Sequence, residues 1–224
     1  MNVKRVTFYP SQIASLMDRH KYKDKDEEFD NLLHRYKTNA PKMIDGVEIP
    51  TKYESFISKQ ISNDSSVRIK PTVERLECDD DVKTAILHKI YTERGIANER
   101  CAILDYEKSN DVVVQCPTHF INKHLISNDT EFFVGGKIDG MITSNDGVIL
   151  VEVKNRQNHF FSEIPDYERI QIECYMRLIR AKHCVFIQRF EGVNQVDLYY
   201  PDNDLWQEIK TNCSSIVQKI YSMA

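Results

Sequence analysis

Apolar residues interrupted by glycine and polar positions between residues 134 and 154 predict a β-hairpin. Its second half contains the continuous apolar run Val148-Ile-Leu-Val151, which is typical of a buried strand. Asn145-Asp-Gly147 precedes this run and suits a tight turn, because glycine adopts positive φ freely and Asn and Asp tolerate it. The segment is therefore expected to fold as two paired strands.

Three charged side chains are expected to meet at the end of this hairpin. Side chains alternate between the faces of a strand, so Glu152 and Lys154 point to one face and Val153 to the other. Pairing of the strands brings Asp139 close to them. Two carboxylates and a backbone carbonyl suit a hard cation such as Mg²⁺, and a neighbouring lysine can orient a water or stabilise charge on a phosphate oxygen. On these residues alone, a solvated ion pair on an edge hairpin is the simpler interpretation.

The rest of the chain shows both helical and strand periodicity. Helices are predicted over residues 24–36 and 52–61, from Asp79-Asp-Asp81 onwards, from Pro165 onwards, and over residues 203–223. Strands are predicted over residues 112–116, 118–126, 183–190 and 195–200. This order predicts an α/β (α+β) fold with a central mixed β-sheet flanked by helices.

Length and composition indicate a globular protein with one domain. A chain of 224 residues can bury a sizeable core, and 41% hydrophobic with 29% charged residues are ordinary values. We expect a helical N-terminal part over residues 1–66 and a sheet-containing catalytic core over residues 67–224. The net charge of −4 disfavours a tight, metal-free DNA binder. A DNA partner would require a local positive groove and metal ions that screen the phosphates.

Neither a zinc site nor a membrane segment is predicted. The six cysteines form no C-x-x-C pair and have no zinc spacing with histidine, so reduced and mostly buried thiols in an intracellular protein are expected. The N-terminus lacks the apolar core of a signal peptide. No stretch approaches the roughly 20 apolar residues that a membrane span needs.

Four motifs, in the family's order, resemble the PD-(D/E)XK nuclease superfamily. Asp139…Glu152-Val-Lys154 is similar to its core motif, although Ile138 rather than proline precedes the aspartate. The other three resemble motifs of its lambda-exonuclease, RecB-like and YqaJ-type viral recombinase branches: Gly95-Ile-Ala-Asn-Glu99 (G-x-x-x-E), Gln171-Ile-Glu-Cys-Tyr175 (Q-x-x-x-Y), and Ser11-Gln-Ile-Ala-Ser-Leu16 with Tyr22-Lys. Together the matches span most of the chain. The resemblance implies the restriction-endonuclease-like fold.

The resemblance also implies a set of catalytic residues, namely Glu99, Asp139, Glu152, Lys154, Gln171 and Tyr175. In such a site Asp139, Glu152 and the Val153 carbonyl ligate Mg²⁺ or Mn²⁺, and Glu99 completes or supports a second metal position. Lys154 activates or positions the attacking water. Gln171 and Tyr175 share a helix face, being one turn apart, and the resemblance implies that they hold the scissile strand.

Further DNA-binding residues are expected near the N-terminus and after the Glu-x-Lys strand. In the resembled exonucleases a basic residue and a serine bind the 5′-phosphate, which points to Arg5 and Ser11 here, with Lys4 close by. Ser11 also suits the N-cap of a helix, and this alternative stays open. Arg156 is a further candidate for contact with the phosphate backbone.

The resemblance implies a divalent-metal-dependent deoxyribonuclease, an exonuclease that degrades linear DNA from an end in recombination, repair or viral replication. Mg²⁺ or Mn²⁺ is the expected cofactor. No iron–sulfur cluster is expected, because the three closely spaced late cysteines that hold one in some RecB-like nucleases are missing. An endonuclease, a single-strand-specific nuclease and a catalytically silent nucleic-acid-binding module are the alternatives.

DNA is the expected partner, and no membrane partner is expected. A single-strand annealing protein and further copies of the chain are additional candidates, since some of the resembled enzymes are rings and others are monomers. The expected location is intracellular, in the cytoplasm, the nucleus or a viral replication compartment.

Overall fold

Two β-sheets and seven α-helices form the part of the chain that the structure describes, which is residues 5–38, 47–62 and 69–223 of a computed structural model. The helices are α1 (Pro10–Leu16), α2 (Lys25–Thr38), α3 (Glu54–Ser62), α4 (Ile69–Glu74), α5 (Asp80–Asn110), α6 (Asp166–Ile179) and α7 (Asn203–Ser222). The strands are β1 (Thr7–Phe8), β2 (Ile121–Ser127), β3 (Thr130–Gly136), β4 (Gly140–Ser144), β5 (Gly147–Asn155), β6 (His183–Phe190) and β7 (Val193–Tyr199).

The larger sheet has the strand order β4-β5-β6-β7. Its central pair, β5 and β6, is parallel, and both outer pairs are antiparallel. The smaller sheet has the order β1-β3-β2, with β1 parallel and β2 antiparallel to β3. Mixed pairing with helices packed against the sheets confirms the predicted fold class. The strands divide into two sheets instead of one, and the predicted helical N-terminal part also supplies β1.

The predicted hairpin consists of β4 and β5. Its turn ends at Gly147, whose φ of +126° lies in the region that favours glycine. The prediction that the first strand runs on from Val134 is wrong, because β3 ends at Gly136 in the smaller sheet and β4 begins at Gly140 in the larger one. Residues 137–139 therefore connect the two sheets.

Helix α6 contributes to the hydrophobic core beneath both sheets. Ile170 packs in the cluster that contains Val134 of the smaller sheet. Ile172 packs in the cluster that contains Leu150 of the larger sheet. Gln171, between them in sequence, is thereby held at the junction of the two sheets.

Helix α5 begins with Asp80 and Asp81, as predicted, because the N-terminus of a helix favours negative charge. Further along, Ile103 packs in the same cluster as Val151 of the larger sheet. This packing holds Glu99, one turn earlier, near that sheet.

Two local predictions are wrong. Residues 112–116 do not form a strand, because their ladder is limited to an isolated bridge between Gln115 and Met141. Ser11 is not the N-cap of α1, because that position is occupied by Tyr9 and Ser11 lies inside the first turn.

All six cysteine thiols are free. Cys174, Cys184 and Cys213 are buried, whereas Cys101 and Cys116 are exposed, so burial is less general than predicted. Among the described helices, none is both long and apolar enough to cross a membrane.

Candidate active site

Asp139, in the connection between the sheets, is fixed by the backbone of β5. Its Oδ2 accepts a hydrogen bond of 2.8 Å from the N–H of Val153. Gly140 pairs with Val151, so the carboxylate lies beside the segment of β5 that carries Glu152. The strand register thus places the Asp139 carboxylate near Glu152, as the predicted pairing of the two strands implies.

Glu152, Lys154 and Gln171 form a closed set of hydrogen bonds between β5 and α6. Lys154 Nζ donates to Glu152 Oε1 at 2.7 Å and to Gln171 Oε1 at 3.2 Å. Gln171 Nε2 donates to the same Glu152 oxygen at 3.0 Å. The side chains of Glu152 and Lys154 therefore share one face of the strand, as predicted.

The second carboxylate oxygen of Glu152 is buried and unpaired. Glu152 is 1% exposed, and its Oε2 has no hydrogen-bond partner in the structure. An unsatisfied buried polar atom costs about 1–3 kcal/mol and is rare in folded proteins. This oxygen, next to a second carboxylate, is therefore free to accept a bond from a bound ligand.

Burial dominates the ionisation of this site. It raises the pKa of Glu152 to about 8, and the charge on Asp139 adds to the effect while Lys154 opposes it. Burial also raises the pKa of Asp139, against Lys154 and the Val153 hydrogen bond. Burial acts to lower the pKa of Lys154, but Glu152 and Asp139 outweigh it and raise that pKa, so the ammonium stays charged. One ammonium group does not compensate both buried carboxylates, and a further cation would favour their charged forms.

Glu99 approaches the carboxylates from α5. Burial raises its pKa to about 7, and Asp139 adds to this increase, whereas Lys154 and Lys137 oppose it. Across the described ranges, however, no three His, Cys, Asp or Glu side chains gather into a metal-binding set. Glu99 lies beside the Asp139–Glu152 pair without completing such a set.

Tyr175 lies one turn after Gln171 on α6, so the two side chains share a face of the helix. Burial, followed by the charge on Glu152, raises the pKa of the Tyr175 hydroxyl, which therefore stays protonated. Gly136 makes room for the ring, since a Cβ at that position would lie 2.8 Å from Tyr175 Cε1. Gly136 at the end of β3 is the sequence signal for this close approach.

Of the N-terminal DNA-binding candidates, Arg5 and Ser11 lie on the surface, and Lys4 lies outside the described residues. Arg5 lines a cavity of about 310 Å³, whose other lining residues are Val6, Thr7, Tyr9, Leu32, Arg35, Tyr36, Phe120 and Asn122. This lining contains two arginines and no acid. Ser11 is exposed in the first turn of α1 and does not line the cavity.

Arg156 lies in the interior of the protein. Its two terminal nitrogens donate to the Glu168 carboxylate at 2.6 and 2.7 Å, and Nε donates to Gln188 Oε1 at 2.8 Å. This placement argues against the prediction that Arg156 contacts the phosphate backbone, because its donors are directed at buried partners. No motif in the sequence marks Glu168 and Gln188, because their pairing with Arg156 depends on the packing of strand and helix.

The raised pKa values of Glu152 and Glu99 predict that the metal-free protein loses stability as pH rises. Between about pH 4.5 and pH 8 the unfolded chain has released protons that the folded chain still binds, so the free energy of unfolding falls across this window. Glu99→Gln is expected to flatten this decline and to be more stable than the parent at pH 8.5, with little difference at pH 4. Urea unfolding in EDTA at both pH values measures the effect. An unchanged slope in the variant would contradict the prediction.

Comparison with known proteins adds evidence on the fold. No protein-family model matches the chain, and no curated protein does. An alkaline exonuclease from Laribacter hongkongensis superposes with a TM-score of 0.61 at 13% identity, covering 98% of this chain and 90% of the exonuclease. Its complex with dAMP gives the same TM-score at 16% identity and covers 98% and 89% of the two chains.

A phage-related exonuclease from Haemophilus somnus 129PT gives a TM-score of 0.53 at 11% identity, over 98% of this chain and 95% of the exonuclease. These likenesses extend over nearly the whole chain. At this level of identity they establish similarity of fold, and the chain therefore has a fold similar to that of these exonucleases.

Proposed function

We propose that the chain is a Mg²⁺- or Mn²⁺-dependent deoxyribonuclease that acts as an exonuclease on linear DNA. The observation that carries this proposal is the unpaired, buried Oε2 of Glu152 beside the Asp139 carboxylate and the charged Lys154. A fold similar to that of two exonucleases supports the same conclusion.

The donor set fits a hard divalent cation. Asp139 and Glu152 offer carboxylate oxygens, and the Val153 carbonyl is the third candidate ligand. Mg²⁺ commonly binds through one or two carboxylates and keeps several waters, so a set of three protein carboxylates is not required. Glu99 is the candidate to support a second position. When bound, the ion would stabilise negative charge on the phosphate and lower the pKa of a bound water.

The chain's own residues would position the substrate and the water. Because the Lys154 ammonium stays charged, it would donate hydrogen bonds to the attacking water or to a phosphate oxygen. Gln171 already spans Lys154 and Glu152 and would hold both in place. The protonated Tyr175 hydroxyl would donate to the scissile strand.

The cavity at Arg5 supports the proposed contact with the end of a DNA strand. Arg5 and Arg35 supply positive charge, and no acid lines the cavity to oppose a phosphate. Ser11 would contribute from the neighbouring first turn of α1. Processing of DNA ends in recombination, repair or viral replication, with an annealing protein or further copies as partners, would follow from this activity.

Direct measurement of Mn²⁺ binding tests the metal site. Calorimetric titration at pH 8 is expected to detect Mn²⁺ binding to the parent chain and a loss of at least tenfold in affinity in Asp139→Asn, because one charged oxygen ligand is removed. Asp111→Asn, at the far end of α5, is the matched control and should bind like the parent. Equal binding by all three proteins would place the metal elsewhere, and absence of binding would favour the catalytically silent module.

A further inference from the structure

Three aromatic rings lie together at the N-terminal end of α6, outside the predicted catalytic set. The ring centroids of His20 and Tyr167 are 4.6 Å apart, and Tyr22 lies 6.3 Å from each. Tyr22 is 66% exposed, whereas the other two rings are half-buried. We call His20, Tyr22 and Tyr167 the aromatic cluster.

The aromatic cluster borders the candidate active site. Tyr167 lies one turn before Gln171, so Tyr167, Gln171 and Tyr175 follow one another along the same side of α6. Burial, followed by Glu168, raises the pKa of the Tyr167 hydroxyl, and Lys154 is close enough to oppose this shift. The row formed by Tyr175, Gln171 and Tyr167 therefore runs from the candidate active site to the exposed aromatic cluster.

Local contacts fix the segment that carries Tyr22. The backbone N–H of Tyr22 donates to His20 Nδ1 at 3.2 Å. Arg19 anchors the same segment through Glu208 at 2.7 Å and Asp166 at 3.5 Å. Tyr22 is thus held with most of its ring surface in solvent, although burial of that ring would be favourable.

The charges around the aromatic cluster favour a neutral ring as ligand over a phosphate. Lys21 Nζ lies 5.5 Å from the centroid of the Tyr22 ring. Lys23 is paired with Glu28 at 3.8 Å, and the Asp166 carboxylate is close by through Arg19. Acids offset the basic residues, so an anion gains little here. A neutral aromatic ligand would instead gain contact area by stacking on the rings, and this gain does not depend on the surrounding charges.

We propose that the aromatic cluster, with Tyr22 as its outermost ring, stacks against an unpaired nucleobase next to the scissile phosphate. This inference rests on the proposed nuclease function and specifies its substrate as a single-stranded or frayed strand end. A base inside a duplex is already stacked on both sides, so a paired end must open before its base can reach Tyr22. Stacking on aromatic side chains serves every base, and it requires no sequence preference.

The test measures binding of a fluorescently labelled single strand in the presence of Mg²⁺, with every variant also carrying Asp139→Asn to prevent cleavage. Tyr22→Ala is expected to weaken binding about tenfold, and Tyr22→Phe is expected to bind like the parent because it keeps the ring. Tyr200→Ala is the matched control, since Tyr200 is 63% exposed and follows β7 at the edge of the larger sheet. It should leave binding unchanged.

The complementary change is made in the DNA, with strands that lack one base at a single position near the end. At the position that stacks on Tyr22, base removal should weaken binding to the parent about tenfold, with little further loss in Tyr22→Ala. The proposal would be overturned if the loss from base removal and the loss from Tyr22→Ala added at every abasic position. It would also be overturned if Tyr22→Ala bound the strand as well as Tyr200→Ala, or if the parent bound no strand.

The cleavage activity of Tyr22→Ala with Asp139 intact separates this proposal from the nuclease itself. Normal cleavage together with unchanged binding rejects the aromatic cluster and leaves the nuclease. Binding that depends on Tyr22, in a chain that cleaves nothing, rejects the nuclease and leaves the cluster as a site for single strands.

Discussion

Lys154→Ala is expected to lower the rate of DNA cleavage by roughly 10²–10⁴-fold without unfolding the protein. The ammonium donates to both Glu152 and Gln171, so its removal takes away the donor that would orient water and breaks the connection between β5 and α6. It also removes the positive charge that lowers the pKa of Glu152. The Glu152 carboxyl would then bind a proton more readily, which weakens it as a metal ligand. Because the protonated carboxyl is neutral, the variant also avoids an unpaired buried charge and stays folded. Initial rates under single-turnover conditions measure the effect.

Lys108→Ala is the matched control for this variant. Lys108 is an exposed lysine in the last turn of α5, and its loss should change neither rate nor stability. Circular dichroism and the thermal midpoint establish that both variants are folded. If Lys154→Ala cleaved DNA as fast as Lys108→Ala, the assignment of Lys154 to the active site would fail.

Glu168→Ala is expected to lower the free energy of unfolding by about 3–5 kcal/mol, because it leaves the Arg156 guanidinium buried without its carboxylate. The side chains of Arg156 and Glu168 are 7% and 4% exposed, so water cannot replace the lost partner. Arg156→Met with Glu168→Leu removes both charges and should recover most of the loss. Urea denaturation of the single and double variants measures these differences.

An exposed pair provides the comparison for the buried one. Lys89 and Glu93 lie 4.0 Å apart on α5 with side chains 44% and 45% exposed. Lys89→Ala should cost less than about 0.5 kcal/mol. A cost of similar size for Glu168→Ala would contradict the structural role of the Arg156–Glu168 pair. Unchanged DNA affinity in the folded double variant would agree with the interior placement of Arg156.

The sequence predicted the parts of the site that depend on local periodicity. Alternation along β5 placed Glu152 and Lys154 on one face, and helical spacing placed Gln171 and Tyr175 together on α6. Both patterns repeat within a few residues, so they are visible in the chain without knowledge of its tertiary contacts. Their convergence in the folded protein follows from the packing of α6 against both sheets.

Features that depend on distant partners were not predictable. Arg156 directly follows strand β5, a position where surface residues are common. Its burial between Glu168 and Gln188 depends on tertiary packing, which the sequence does not show. Residues 112–116 have the composition of a strand, but their pairing with the neighbouring strand β4 is limited to the single bridge between Gln115 and Met141. The strand β1 has two residues, too few to produce a periodic signal, and exists through its pairing with β3.

Cleavage of linear duplex DNA labelled at its 5′ or its 3′ end tests the central claim most directly. The assay is run with Mg²⁺, Mn²⁺ or EDTA, with Asp139→Asn and a closed circular duplex as controls. We predict metal-dependent release of mononucleotides from one end, no release in EDTA or by Asp139→Asn, and an intact circle. Cutting of the circle would contradict an exonuclease, and full activity in Asp139→Asn, or no cleavage of duplex or single strands with either metal, would contradict the proposed active site.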